Sequence, residues 1–178
     1  MRTVFFDIDT QLDFLYPSGA LYVPRAEFII PAVARLNRFA QASGFTVVST
    51  TDAHAEDDPE FASWPPHCIA GTLGQRKPEA TLLNGGRQII FEKQTVDVFQ
   101  CANIHPLLDR LNPESYVVYG VVTEICVLAA VRGLLRTGKP VTVVADAVET
   151  LRAEDSARAF AEMQAAGARI ANVAEVCL

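Results

Sequence analysis

Six side chains in this sequence pair a reactive type with a recurring kind of position. Asp7 and Asp9 close the first apolar run, Val4-Phe5-Phe6; Asp52 and His54 follow a second, Phe45–Ser49. Lys93 follows Gln88–Phe91, and Cys126 follows Tyr116–Tyr119. A thiol, a carboxylate to take its proton and an ammonium to hold the anions are the parts of a cysteine-based acyl-transfer site. Thr123 suits a helix N-cap, which puts Cys126 at the third helical position. There, free backbone N–H groups and the helix dipole favour a thiolate. A small buried cysteine fits the same residue equally well, so position alone leaves both readings open. Cys68, Cys101 and Cys177 sit at no strand-to-helix turn and read as structural. By strand alternation Asp7 shares a face with Asp9. Neighbouring carboxylates raise each other's pKa, so Asp7 either tunes Asp9 or pairs with a loop donor.

A second group has ligand character. Asp52-Ala53-His54 projects two donors the same way from an extended chain, and His67 follows in Trp64-Pro65-Pro66-His67-Cys68. Two imidazoles and a carboxylate suit zinc, iron or manganese and leave positions open for water or substrate. Glu60 is a candidate fourth ligand, with Glu56, Asp57 and Asp58 behind it. The alternative is a hydrogen-bonded loop that holds no metal.

These residues need elements to carry them. The short apolar runs above read as strands one to four, Val141–Ala145 as a fifth and Arg169–Val173 as a sixth. Helical spacing covers Glu27–Ser43, Ile104–Leu111, Glu124–Thr137 and Ala153–Ala166, with Gly44, Gly138 and Gly167 as stops. Alternating strands and helices predict a three-layer α/β fold. Its mostly parallel central sheet has about six strands, and helices cover both faces. Residues 1–178 read as one domain with a long excursion at about 51–87, where Pro59, Pro65, Pro66 and Pro78 break any long element. In such sheets sites form beyond the carboxyl ends of the strands, where strand order reverses. Four strands deliver ionisable groups to that edge.

Composition narrows the class of partner. The 178 residues carry 15 basic and 21 acidic side chains, a net charge of −6. This argues against nucleic acid, which needs a basic face. No apolar run approaches the roughly 20 residues that span a bilayer, the N-terminus does not resemble a signal peptide, and four scattered cysteines without a CxxC pair fit a reducing cytoplasm. The expected partner is a small molecule, with no membrane; small α/β hydrolases often self-associate, but no surface patch is evident.

The runs Ile8-Asp9-Thr10-Gln11-Leu12-Asp13-Phe14, Thr51-Asp52-Ala53-His54, Trp64-Pro65-Pro66-His67-Cys68, Glu92-Lys93 and Gly120-Val121-Val122-Thr123-Glu124-Ile125-Cys126 occur in that order. Together they resemble the isochorismatase-like cysteine hydrolases, and within them the nicotinamidases. The resemblance implies a Rossmann-like strand order and a catalytic Asp9, Lys93 and Cys126. It implies metal ligands Asp52, His54 and His67, with Glu60 at a variable fourth position. It also implies Phe14 and Trp64 against a pyridine ring, a cis peptide before Val122, and an oxyanion hole from the N–H groups of Val122 and Cys126. The activity implied is hydrolysis of nicotinamide to nicotinic acid and ammonia through a thioester at Cys126. Leu12 stands where nicotinamidases commonly have asparagine, and Gln94–Phe99 lacks the tyrosines often found near that pocket.

Three rivals remain in view. One is an amidase of the same superfamily acting on a carbamoyl, ureido or biuret-like amide, and another is an inactive relative that only binds. The third is a haloacid dehalogenase-like phosphatase, suggested by Phe6-Asp7-Ile8-Asp9-Thr10. That motif fails at Gln11, and Asp146 has no acidic neighbour to help hold magnesium.

Overall fold

The computed structural model describes residues 2–178. β1 (Thr3–Ile8) is buried along its whole length, as expected of a strand covered on both faces. β2 (Thr46–Asp52), β3 (Gln88–Lys93), β4 (Ser115–Val121), β5 (Val141–Glu149) and β6 (Arg169–Ala171) complete a sheet ordered β3-β2-β1-β4-β5-β6. Every neighbouring pair is parallel, so the expected α/β architecture and six strands are present.

The chain first steps from β1 outward through β2 to β3. It then crosses to β4 and steps the other way to β6. Strand order therefore reverses between β1 and β4, and the crevice beyond their carboxyl ends is where such sheets build sites. Right-handed crossovers in opposite directions send the connecting helices to opposite faces. α2 (Ile30–Ala42), joining β1 to β2, lies on one side. α3 (Ile104–Leu111), α4 (Leu128–Leu135) and α5 (Ala153–Ala165) follow crossovers running the other way. Contacts agree with this arrangement, since α4 packs on α5 while α2 meets the short C-terminal α6 (Val173–Val176). The core between the layers is aliphatic and aromatic, with Phe5 against Phe45 at 5.9 Å between ring centroids.

Several boundaries differ from the sequence reading, for identifiable reasons. β2 and β3 run on to Asp52 and Lys93, so both charged residues end their strands; Asp52 and Lys93 are themselves a paired position. β4 continues through Gly120 to Val121. Gly120 is no strand terminator: its φ is 120°, and a Cβ there would fall 2.1 Å from the carbonyl oxygen of Ile8. Glycine lets β4 close onto β1 at the switch point. The expected helix from Glu124 begins as a π-helical turn, Thr123–Val127, before α4. α1 (Leu12–Leu15) and α6 are single turns without a periodic signal.

The excursion after β2 holds 3₁₀ turns at Pro59–Ala62 and Glu79–Thr81 and is tied to the sheet by buried polar groups. Asp7 pairs with Lys77 at 2.9 Å and accepts hydrogen bonds from Thr10 (2.7 Å), Asn37 (3.1 Å) and Ser49 (3.1 Å). Of its two expected roles, Asp7 therefore takes the pairing with a loop donor. Asp9 does not share its face by alternation, because β1 ends at Ile8 and Asp9 has φ 49°.

Two stability predictions follow from these contacts. Gly120→Ala should cost roughly 2–4 kcal/mol in urea unfolding, through the clash with Ile8 and the unfavourable φ. Lys77→Met leaves the Asp7 carboxylate buried without its cation and should cost about 3–5 kcal/mol. The double variant Asp7→Asn/Lys77→Met should recover much of that loss.

Candidate active site

The turn after β1 is held against β2. The Asp9 N–H donates to the Thr50 carbonyl (3.1 Å), and the Thr50 hydroxyl donates to Asp9 Oδ1 (2.6 Å). Lys93 Nζ lies 2.8 Å from Asp9 Oδ2 and also donates to Asp52 Oδ1. One buried ammonium thus bridges two buried carboxylates. Burial alone would push Lys93 down, but the Asp9 and Asp52 carboxylates hold it well above its usual value. Burial raises Asp9; Lys93 pulls it back only in part, while Asp52 adds to the rise. Burial also acts to raise Asp52, yet the Lys93 charge and hydrogen bond bring it below the ordinary carboxylate value.

Cys126 is half-buried and lines the same pocket as Asp9. The expected N-cap at Thr123 is absent. Val122 occupies the cap position, and the Thr123 hydroxyl instead donates to the Glu149 carbonyl at 2.8 Å. Nor does the position favour a thiolate at rest. Burial raises the thiol well above its normal pKa, Lys93 opposes this, and Asp9 and Asp52 reinforce it. Ionising such a thiol takes a nearby proton acceptor, and the most deeply buried carboxylate that shares its pocket is Asp9. The Val121–Val122 peptide is cis. Among the other cysteines, Cys68 is fully buried, and none of the four forms a disulfide.

Beside this cluster, donor atoms of Asp52, His54 and His67 lie within 4.8 Å of one another. The His54 and His67 Nε2 atoms are 3.8 and 4.0 Å from Asp52 Oδ2. His67 Nδ1 lies 2.7 Å from the Pro65 carbonyl, which can only accept, so that nitrogen carries the hydrogen and Nε2 offers its lone pair. His54 Nδ1 is similarly matched to Asp58 Oδ2 at 3.0 Å. Its buried Nε2 has no hydrogen-bond partner among the described residues. Imidazoles oriented from behind, with free nitrogens converging on a carboxylate, are the arrangement of a metal site. The local field also favours a cation: Asp52 and Asp58 push His54 up to about 9 despite its burial. Glu60 stands outside the compact group of three, with Oε1 3.9 Å from His67 Nε2. Asp58 orients His54 and is not itself in the group.

One pocket joins the two clusters and is otherwise almost wholly apolar. Phe14 and Trp64 line it, as do Val121 and Val122 beside Cys126. Phe14 also packs on His67, with ring centroids 5.4 Å apart. Two supporting residues escaped the sequence reading. Gln11 is fully buried; it donates to the Asp52 and Gln75 carbonyls and accepts from the Asp52 N–H, all at 2.7–2.8 Å. Asp13 accepts from the N–H groups of Cys68 (2.8 Å) and Ala20 (3.0 Å). Both sit inside the Ile8–Phe14 run, but their partners lie 41 to 64 residues away for Gln11 and 55 for Asp13's bond to Cys68, so local sequence carried no signal for them.

A cysteine, a carboxylate and a lysine are thus gathered at the switch point of a parallel α/β sheet. Residues 3–175 match the model of the Isochorismatase domain, and the chain belongs to that family. A nicotinamidase of Escherichia coli is 26% identical over 94% of this chain and 93% of its own length. The crystal structure of a pyrazinamidase of Pyrococcus horikoshii in complex with zinc has a TM-score of 0.89 and 29% identity, covering 97% of this chain and 99% of that one. A nicotinamidase structure from Bacillus subtilis reaches a TM-score of 0.90 at 25% identity, over 97% of this chain and all of the other. None of these relatives supports a phosphatase, and Asp146, the residue that reading needed, accepts from the Val173 N–H at 2.8 Å. Among the described residues no helix is long and apolar enough to cross a membrane.

Metal binding can be measured independently of activity. Purified protein dialysed against zinc or manganese should retain one ion per chain by elemental analysis, and His67→Ala should lose it. Asp58→Ala should weaken affinity by about 10–100-fold, the usual effect of losing the group that orients a ligating histidine. Retention of a full equivalent by His54→Ala/His67→Ala would exclude this site.

Proposed function

We propose that this chain is a cysteine-dependent amidohydrolase that converts nicotinamide to nicotinic acid and ammonia. The observation carrying the proposal is the shared pocket, in which Cys126 stands with Asp9, and Asp9 is paired with Lys93 beside the Asp52, His54 and His67 group. Relatives named nicotinamidase and pyrazinamidase support the substrate class. The free thiols fit a reducing, cytoplasmic setting.

In this reading Phe14 and Trp64 sandwich the flat ring and present the carboxamide carbon to Cys126. Asp9, its pKa raised by burial, is better matched to proton transfer near neutrality than an ordinary carboxylate. It takes the thiol proton as sulfur bonds to the carbonyl carbon and the π electrons move onto oxygen. The N–H groups of Val122 and Cys126 receive that oxyanion; one such donor is typically worth roughly 3 kcal/mol of barrier. Asp9 then gives its proton to the departing nitrogen, releasing ammonia and leaving a thioester at Cys126. Water loses a proton to Asp9 as it adds to the thioester, and collapse expels the sulfur, which is reprotonated. Lys93 keeps Asp9 oriented and offsets the negative charge throughout. Asp52, His54 and His67 would hold one divalent ion, zinc, iron or manganese, which supplies Lewis acidity for anchoring the ring nitrogen. Phe14 and Trp64, holding the ring in the pocket, place the amide over the thiol, the kind of positioning that lowers barriers by proximity.

Cys126→Ala should abolish ammonia release from nicotinamide while leaving the circular dichroism spectrum unchanged. Asp9→Asn should lower kcat by about 10²–10⁴-fold. Acid quenching of wild-type turnover should trap a nicotinoyl adduct on the Cys126 peptide by mass spectrometry. Appreciable activity in Cys126→Ala, or an adduct on another residue, would reject the mechanism.

A further inference from the structure

The mouth of the pocket holds an apolar side chain that takes no part in bond cleavage. Leu151 follows β5 and is 37% exposed, one of the large apolar residues left to water. It nevertheless lines the same pocket as Cys126. Its backbone is clasped from the turn that carries the thiol. The Leu151 N–H donates to Glu124 Oε1 at 2.9 Å, and the Thr150 hydroxyl donates to Glu124 Oε2 at 2.6 Å. One residue earlier on each side, the Thr123 hydroxyl holds the Glu149 carbonyl. Thr123, Glu124 and Cys126 share a single five-residue turn. Residues 149–151 are therefore fixed to the nucleophile's own turn rather than hanging as an independent loop.

Phe14 and Trp64 reach the pocket from the opposite direction in the chain, from the turn after β1 and from the excursion. Leu151 supplies an apolar surface from the β5 side. An exposed leucine at a pocket mouth gains when an uncharged ring covers it. Apart from the ionisable groups already described, the wall of the pocket is apolar, which suits an uncharged ring. We infer that Leu151 is a substrate-contact residue covering the ring of a neutral aromatic carboxamide, and that Glu124 is a positioning residue that keeps Leu151 in register with Cys126. This inference rests on the amidohydrolase reading above.

The test measures steady-state ammonia release from nicotinamide, pyrazinamide and benzamide. Leu151→Ala should raise KM about tenfold with kcat within about twofold, because a contact made equally in ground and transition states affects KM alone. Its melting temperature should match the wild type, since the side chain is exposed. Glu124→Ala should shift KM in the same direction. Glu124→Gln, which keeps an acceptor for the Leu151 N–H, should give an intermediate KM. Glu124→Ala/Leu151→Ala should be no worse than Leu151→Ala alone, the signature of one residue acting through the other. An unchanged KM in Leu151→Ala overturns the contact role, and fully additive penalties overturn the positioning role. Failure on nicotinamide with turnover of benzamide or pyrazinamide counts against the substrate proposed above, and the variants are then compared on the amide that reacts. Turnover of none of the three overturns both readings.

Discussion

The buried ammonium of Lys93, shared between Asp9 and Asp52, is the interaction on which the rest of the site depends. A lone ammonium in that place would shed its proton to escape desolvation. Two carboxylates reverse that tendency, so the ammonium keeps its proton. Each carboxylate in turn relies on the same cation. Removing Lys93 would leave two buried carboxylates without a counter-charge, which is why such clusters are costly to break even where they add little net stability. Lys93 also joins the two clusters, with Cys126 and Asp9 on one side and Asp52, His54 and His67 on the other.

The parallel sheet makes this convergence possible. Asp52 and Lys93 are paired last residues of adjacent strands, and Asp9 is the first residue beyond the strand on the other side of β2. Parallel register brings the three to a common level at one edge. β4 approaches across the switch point with glycine at Gly120, and the turn after it brings Cys126 to the same crevice. Two carboxylates facing one ammonium leave an acidic surplus. The lifted pKa of His54 is a measure of that surplus, and it is the electrostatic environment in which a divalent cation is welcome.

The excursion between β2 and β3 contributes His67, Glu60 and Trp64, yet almost nothing within it is regular. Its order comes from outside. Lys77 reaches Asp7, Gln11 spans the Asp52 and Gln75 backbones, and Asp13 holds Cys68. The run from Asp7 to Phe14 is thus dense with polar residues because it is the clamp for a loop without its own secondary structure. At the other wall, Glu124 does the same for the residues after β5.

The sequence by itself determined the strand-helix alternation, the sheet edge that bears the chemistry, and the identity of the groups brought there. Apolar runs closed by Asp, Lys or Cys carry that information locally, as does the short Asp-x-His spacing. Only the tertiary structure decided how those groups behave. The Thr123 position looked like an N-cap that would ionise Cys126, but a π-helical turn and burial make the resting group a thiol. Asp7 could have tuned Asp9 or paired with a loop donor; a positive φ at Asp9 and a lysine 70 residues from Asp7 decide for the second. Glu60, Asp58, Gln11 and Glu124 could be ranked only once their partners were in place. The reason is that a residue's type is a local property. Its desolvation, its nearest charge and its hydrogen-bond partner are set by atoms remote in the chain, and these decide its ionisation and its role.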